Sequence, residues 1–277
     1  MRKMKKLSVL FLVVVLFTAC SEYQKVLNKG TTEDQYKMAT ELYEGGKYNK
    51  AIQLFEKIIP KYQRKPQLER IQYMVAEANY KTNNYKLASY YFNRFIGNYP
   101  NSSKLEEASY LVAHSYYLAS PKSSLDQADT QKALTAFQSF IDKYPSSEKL
   151  DVANKLYDEL TNRLEKKAFD NAKLYYKTEN YTAAIVALDI FLEDNFGTIY
   201  REEALSYKFL ASYELGMRSI FTKKETRLND AIASYNKLHK RFPNNKRSKE
   251  FEDLLGNLNK ELELHKEELE KFKTNGL

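Results

Sequence analysis

Thiols, imidazoles and paired carboxylates are the side chains that most often carry chemistry, and this 277-residue chain uses them sparingly. Its one cysteine is Cys20, in the stretch L-F-T-A-C-S from Leu16 to Ser21. A lone thiol can be a nucleophile, a buried small hydrophobe or a point of covalent modification. The three histidines, His114, His239 and His265, are isolated in sequence. No H-E-x-x-H pair and no glycine-rich phosphate loop accompanies them. Carboxylates are plentiful, but on charged helical stretches where a solvated face is the default. The chain reads as a non-enzyme with no cofactor and no metal site.

The flanks of Cys20 decide among its uses. Arg2, Lys3, Lys5 and Lys6 precede a run of about 11 apolar residues, Leu7 to Phe17, and then the small pair Thr18-Ala19. A charged start, a short apolar run and small residues at a cleavage point describe a secretory signal. The run falls well short of the roughly 20 residues that a spanning helix needs. The pattern resembles a bacterial lipoprotein signal, with Phe17 where that family usually has Leu. The resemblance implies that residues 1–19 are removed and that the Cys20 thiol carries a diacylglyceryl group, a covalent lipid anchor. Two or three acyl chains hold a protein firmly to a membrane it does not cross. Ser21, in place of an inner-membrane retention signal, and the absence of an acidic run imply the periplasmic face of the outer membrane. With the thiol used in this way, thiolate metal sites and thiol catalysis are excluded.

The formal charge is +8, but four basic residues and no acid lie in the leader, which leaves about +4. That is weak for nucleic-acid binding. No cysteine remains to form a disulfide. Glycine (8) and proline (6) are scarce while tyrosine reaches 23, so a helical protein is expected.

The elements come from an internal repeat. The stretches at Glu44 and Lys81 align Tyr48 with Tyr85, Ala51 with Ala88, Phe55 with Phe92 and Tyr62 with Tyr99, each shifted by 37 residues. A period of this length marks a helical solenoid. Ala133, Phe137, Phe140, Tyr144 and Pro145 repeat the pattern, as do Ala231, Tyr235, Leu238, Phe242 and Pro243. Tyr181, Ala184, Leu188 and Phe191 form a degenerate copy, with Phe196 in the proline position. A first helix precedes each, marked by Ala39, Ala76, Ala113, Ala172 and Ala211. Gly45-Gly46 and Asn83-Asn84 supply tight turns between paired helices. The alanine-to-alanine distance within a pair is 12 residues in three copies and 20 in the third and fifth. Insertions near Pro121 to Thr130 and Phe221 to Asn229 therefore lengthen those hairpins or their turns.

The set resembles the tetratricopeptide repeat. That implies an all-α superhelical solenoid of about five helix-turn-helix repeats over 33–247, preceded by a linker at 20–32. A helix at 248–277 would cap the last repeat or serve as a partner contact. In that family first helices line the groove. Tyr36, Tyr73, Tyr110 and Phe169 occupy one offset, and Tyr43, Tyr80, Tyr117 and Tyr176 lie seven residues on, on the same helical face. Tyrosine suits peptide recognition, offering apolar area and a hydroxyl. The same rings also suit packing between helices, so groove and core both stay open.

Leader, repeats, long third and fifth hairpins and terminal helix together resemble the BamD family, lipoproteins of the outer-membrane β-barrel assembly machinery. The resemblance implies a scaffold whose partners are unfolded outer-membrane proteins, a BamA-like barrel-forming subunit and outer-membrane lipid. Clients would meet the first repeats, at Tyr36, Tyr43, Tyr73, Tyr80, Tyr110 and Tyr117. The BamA-like subunit would meet 166–273, where Arg201, Lys208 and Arg218 are candidate contacts. Two alternatives are a SusD-like glycan-binding lipoprotein and a CpoB-like cell-envelope coordinator. The first usually carries tryptophan, which this chain lacks. The second has a coiled coil before its repeats, for which the linker is too short.

Overall fold

In the computed structural model the described residues run from 22 to 274, so the leader and Cys20 lie outside them. All regular structure among them is helical. Helix α1 (22–29) is followed by α2 (Thr32–Glu44), α3 (Tyr48–Ile58), α4 (Gln67–Lys81), α5 (Tyr85–Asn98), α6 (Leu105–Ala119) and α7 (Ala128–Lys143). Then come α8 (Leu150–Lys177), α9 (Tyr181–Asp194), α10 (Arg201–Met217), α11 (Phe221–Arg241) and α12 (Ser248–Thr274). The chain divides into two compact units. Leu125–Leu160 and the residues up to Pro121 form the first, and Lys122–Ser124 with the residues from Thr161 onward form the second.

The five expected hairpins are present as α2/α3, α4/α5, α6/α7, the second half of α8 with α9, and α10/α11. Their marker alanines, Ala39, Ala51, Ala76, Ala88, Ala113, Ala133, Ala184, Ala211 and Ala231, have no exposed surface, and Ala172 is 4% exposed. A side chain longer than a methyl group would push paired helices apart at each. Phe55, Phe92 and Phe137, one turn beyond the second-helix alanine, fill the cores of the first three hairpins, and Leu188 and Tyr235 do so in the last two.

Two turn types recur. Within three hairpins the chain leaves the first helix through a left-handed residue: Gly46 at φ 71°, Asn83 at 62° and Glu179 at 59°. In each, the following amide donates to a carbonyl five residues back, as from Asn84 to Asn79 and from Asn180 to Tyr175. This is the Schellman geometry that closes a helix C-terminus. Between hairpins a polar side chain accepts from the amide two residues on. Ser102 caps Lys104, Ser147 caps Lys149, Thr198 caps Tyr200 and Asn245 caps Arg247, at 2.8–3.2 Å.

One expectation about the elements needs revision, and two further features are settled by the fold. Residues 22–29, expected within a linker, form a helix seated on the first hairpin. Tyr23 is buried there and its hydroxyl donates to Gln53 Oε1 at 2.7 Å. The Gln35 amide donates to the carbonyls of Val26 and Leu27, closing the end of α1. The two insertions also take different forms: the third hairpin gains a loop before Ala128, whereas the fifth gains helix at the start of α11. Finally, α8 is longer than one repeat requires. Ala153 and Leu160 in its first half pack with Ala113, Phe137 and Phe140 of the first unit. Phe169 and Ala172 belong to the core of the second.

Helix α12 covers the end of the second unit. Phe251, Leu258 and Leu262 are buried with residues of α10 and α11. Phe221, at the added start of α11, meets His265 at 4.5 Å and Phe272 at 5.3 Å between ring centroids, and Lys224 pairs with Glu261. The insertion thus lengthens α11 so that it reaches the distal part of α12.

Candidate functional site

The face built by the first helices of the first unit carries the two tyrosine offsets, and the structure separates them. At the first offset Tyr73 is 8% exposed, with its ring edge-on to Phe92 and Phe95 at 5.7 and 5.4 Å. Lys104 covers the ring at 5.2 Å, a favourable cation–π arrangement. Tyr73 is therefore core, and its place among groove residues is corrected. Phe169 is likewise buried, at 2%. The physical reason is position: a first-offset ring points between its own hairpin's helices, where the second-helix Phe residues meet it. Tyr110 and Tyr36 follow the same course less completely. Tyr110 is half-buried against Phe140, and Tyr36 against Tyr62 at 5.5 Å.

The second offset does something else. Tyr43, Tyr80 and Tyr117 are all half-buried, and each reaches from its own first helix to the next. The Tyr43 hydroxyl donates to Glu77, Tyr80 Oη and His114 Nδ1 share a hydrogen bond of 2.7 Å, and Tyr117 donates to Glu159 at 2.9 Å. The sequence separations are 34, 34 and 42; the third exceeds the others by the eight residues of the third-hairpin insertion. The result is a ladder of aromatic rings tied by hydrogen bonds across successive repeats.

Electrostatics follow from this packing. Burial and the Glu77 carboxylate push the Tyr43 hydroxyl far above its ordinary range, so it stays a donor. Burial lowers the His114 pKa and favours the neutral ring. That ring stacks with Tyr110 at 5.5 Å and with Tyr117 at 5.8 Å. His114, isolated in sequence, is thus the centre of a three-tyrosine cluster. Glu107, held below the usual carboxylate range first by the Lys104 ammonium, lies beside the buried Tyr73 hydroxyl, which makes no hydrogen bond of good geometry. Glu77, His114 and Glu159 were not singled out as members of this face, although their near-constant distance from the tyrosines is legible in the sequence.

In the second unit the three candidate cations are all engaged within the chain. Arg201 donates to the backbone carbonyls of Leu192, Asn195 and Phe196 at 3.1, 3.3 and 2.6 Å, which fastens the turn after α9. It is a structural residue first. Lys208 pairs with Asp189 at 2.5 Å, and Arg218 pairs with Glu179 and Glu214 at 3.0 and 2.9 Å. Beside Lys208 lies a groove of about 470 Å³ between α9, α10 and α11, with Ile185, Val186 and Leu215 in its apolar wall. Val186 and Ile190, one turn apart on α9, are 55% and 52% exposed, and Phe196 and Ile199 beyond its end are 81% and 70% exposed. Helix α9 is thus apolar on its outer face as well as its inner one. No group of His, Cys, Asp and Glu suited to a metal ion occurs among the described residues.

With this geometry in view, residues 28–228 match the model of the YfiO family, described as an outer-membrane lipoprotein. The chain belongs to this family. The matched span takes in all of α2 to α10, hence hairpins of both units. No curated protein matches the chain. Among solved structures, the TPR2AB domain of yeast Sti1 in complex with pHSP90 is 13% identical at a TM-score of 0.36, covering 82% of this chain and 98% of that one. A Podosopora anserina protein of nearly identical TPR-like repeats is 12% identical at a TM-score of 0.32, covering 75% and 96%. These likenesses are loose, and the fold class rests on the hairpins themselves. YfiO membership places the chain among outer-membrane lipoproteins of the assembly-machinery type.

Proposed function

We propose that this chain is a non-catalytic scaffold of the outer-membrane β-barrel assembly machinery, anchored through lipid on Cys20 at the periplasmic face. The single observation that carries the reading is the YfiO match, because it spans repeats of both units and not one hairpin motif alone. Two features support it. The first unit offers half-exposed Tyr36, Tyr43, Tyr80, Tyr110 and Tyr117, suited to an extended, aromatic-ended strand of an unfolded outer-membrane protein. The second unit offers the α9–α11 groove and the apolar outer face of α9, suited to a folded domain of a BamA-like subunit. The mechanism is capture and positioning, with no bond made or broken by the scaffold.

The client half is tested by titrating a fluorescent peptide that ends in an aromatic residue. Tyr80→Ala and Tyr117→Ala should each weaken binding about thirtyfold, the effect of losing a 2 kcal/mol contact. Unchanged affinity in both folded variants would remove the tyrosine ladder from client binding.

A further inference from the structure

The chain's positive charge is not spread along it. Residues 22–29 and 45–66 carry eight basic side chains, Lys25, Lys29, Lys47, Lys50, Lys57, Lys61, Arg64 and Lys65, against the acids Glu22 and Glu56. Beyond the leader, the rest of the chain is slightly acidic on balance. Nearly the whole excess of positive charge thus sits on α1, α3 and the turns at either end of α3.

The fold turns these two stretches into one surface. Tyr23 donates to Gln53, and the Lys50 ammonium lies 5.0 Å from the centre of the Tyr23 ring. Four residues further along both helices, Lys57 donates to the Leu27 carbonyl. Helices α1 and α3 therefore lie side by side in the same direction. All eight cations are exposed. The ammonium groups of Lys50 and Lys65 sit over tyrosine rings and that of Lys57 on a backbone carbonyl, while Lys25, Lys29, Lys47 and Lys61 make no ion pair among the described residues.

Its location gives this patch a partner. Cys20 is two residues ahead of Glu22, and two residues of fully extended chain span about 7 Å. Since α1 is seated on the first hairpin by Tyr23 and Gln35, no long tether separates a lipid on Cys20 from the repeats. The near end of the patch, Lys25 and the Lys50 ammonium over the Tyr23 ring, is thus tethered within about a Debye length of the bilayer surface, the range over which cations are drawn to anionic headgroups. Helices α1 and α3 lying flat on the bilayer would bring the remaining cations into that range. We infer that α1 and α3 form a membrane-facing surface that binds anionic phospholipid headgroups and fixes how the first unit stands on the bilayer. A solvated face with no partner would not need its charges gathered at the anchored end.

This rests on the anchor reading for its geometry, so the test uses a chain without lipid: residues 20–277 carrying Cys20→Ser. Flotation with phosphatidylcholine vesicles is compared with mixed phosphatidylcholine–phosphatidylglycerol vesicles. Binding is expected to the mixed vesicles alone and to fall as salt is raised. The variant Lys25→Gln/Lys29→Gln/Lys47→Gln/Lys61→Gln should lower partition by about tenfold or more. A control variant, Lys237→Gln/Lys240→Gln/Lys246→Gln/Lys260→Gln, should retain it. Thermal unfolding of both variants at the wild-type midpoint excludes misfolding as the cause. No binding to the anionic vesicles, or equal loss in the two variants, overturns the surface and leaves Cys20 acylation to be judged by mass alone.

Discussion

Single residues decide how much of the tyrosine pattern is available to a ligand. Tyr73 sits between Phe92 and Phe95 with its hydroxyl unpartnered, so it behaves as a large core aromatic. Tyr73→Ala should cost about 3 kcal/mol or more in unfolding free energy, whereas Tyr73→Phe should be neutral or stabilising, because it removes a buried polar group without a partner. Denaturant melts separate these outcomes, and a wild-type melt for Tyr73→Ala would contradict core placement. His114 sets a pH dependence. Its pKa is lowered by burial, so the unfolded chain takes up a proton first as pH falls. The stability it contributes is full above the ordinary histidine pKa of about 6.5 and declines below it. The melting midpoint should therefore fall more between about pH 7 and pH 5 in the wild type than in His114→Gln, which keeps a polar partner for Tyr80. Equal shifts in the two proteins would show that His114 titrates freely.

Elements owe their limits to turn chemistry, much of which can be read from residue types. Gly45-Gly46 and Asn83-Asn84 mark hairpin turns, and both place a residue able to adopt positive φ where the structure requires one. The equivalent turn after α8 uses Glu179, which has no such tolerance and whose type gave no signal of a turn. Glu179→Gly should raise stability by about 1 kcal/mol by relieving the left-handed strain. The ion pair it gives up with Arg218 is exposed on both sides, so little is lost. A drop in melting midpoint would contradict the assignment of strain. The inter-hairpin caps Ser102, Ser147, Thr198 and Asn245 were equally legible, each three residues beyond the last aromatic or equivalent position of its repeat. The length of α8 was not: its two halves bury faces in different cores, and neither half alone breaks the helical period. The Phe221 insertion was legible as an insertion only, because its helical form depends on α12 lying where Phe221 can meet His265 and Phe272.

At the scale of the whole molecule, the fold class and repeat number follow from the recurring pattern, since five copies of a small–aromatic set permit few other packings. What period cannot carry is the division of labour among rings on one helical face. Tyr73 and Tyr80 are the same residue type seven positions apart, and only the second-helix phenylalanines and the next repeat's His114 assign one to the core and the other to the ladder. The partner cations show the same limit: Arg201 appears as a free positive charge in sequence, and in the fold its Nη2 donates to three backbone carbonyls. The central claim, that this scaffold works within a barrel-assembly machine, is tested most directly by affinity capture of the tagged, lipidated chain from detergent-solubilised membranes. The account predicts a BamA-like barrel-forming subunit recovered in near-stoichiometric amount and lost when the outer face of α9 is made polar by Val186→Asp and Ile190→Asp. Recovery of a TonB-dependent porin or of division proteins in its place would contradict it.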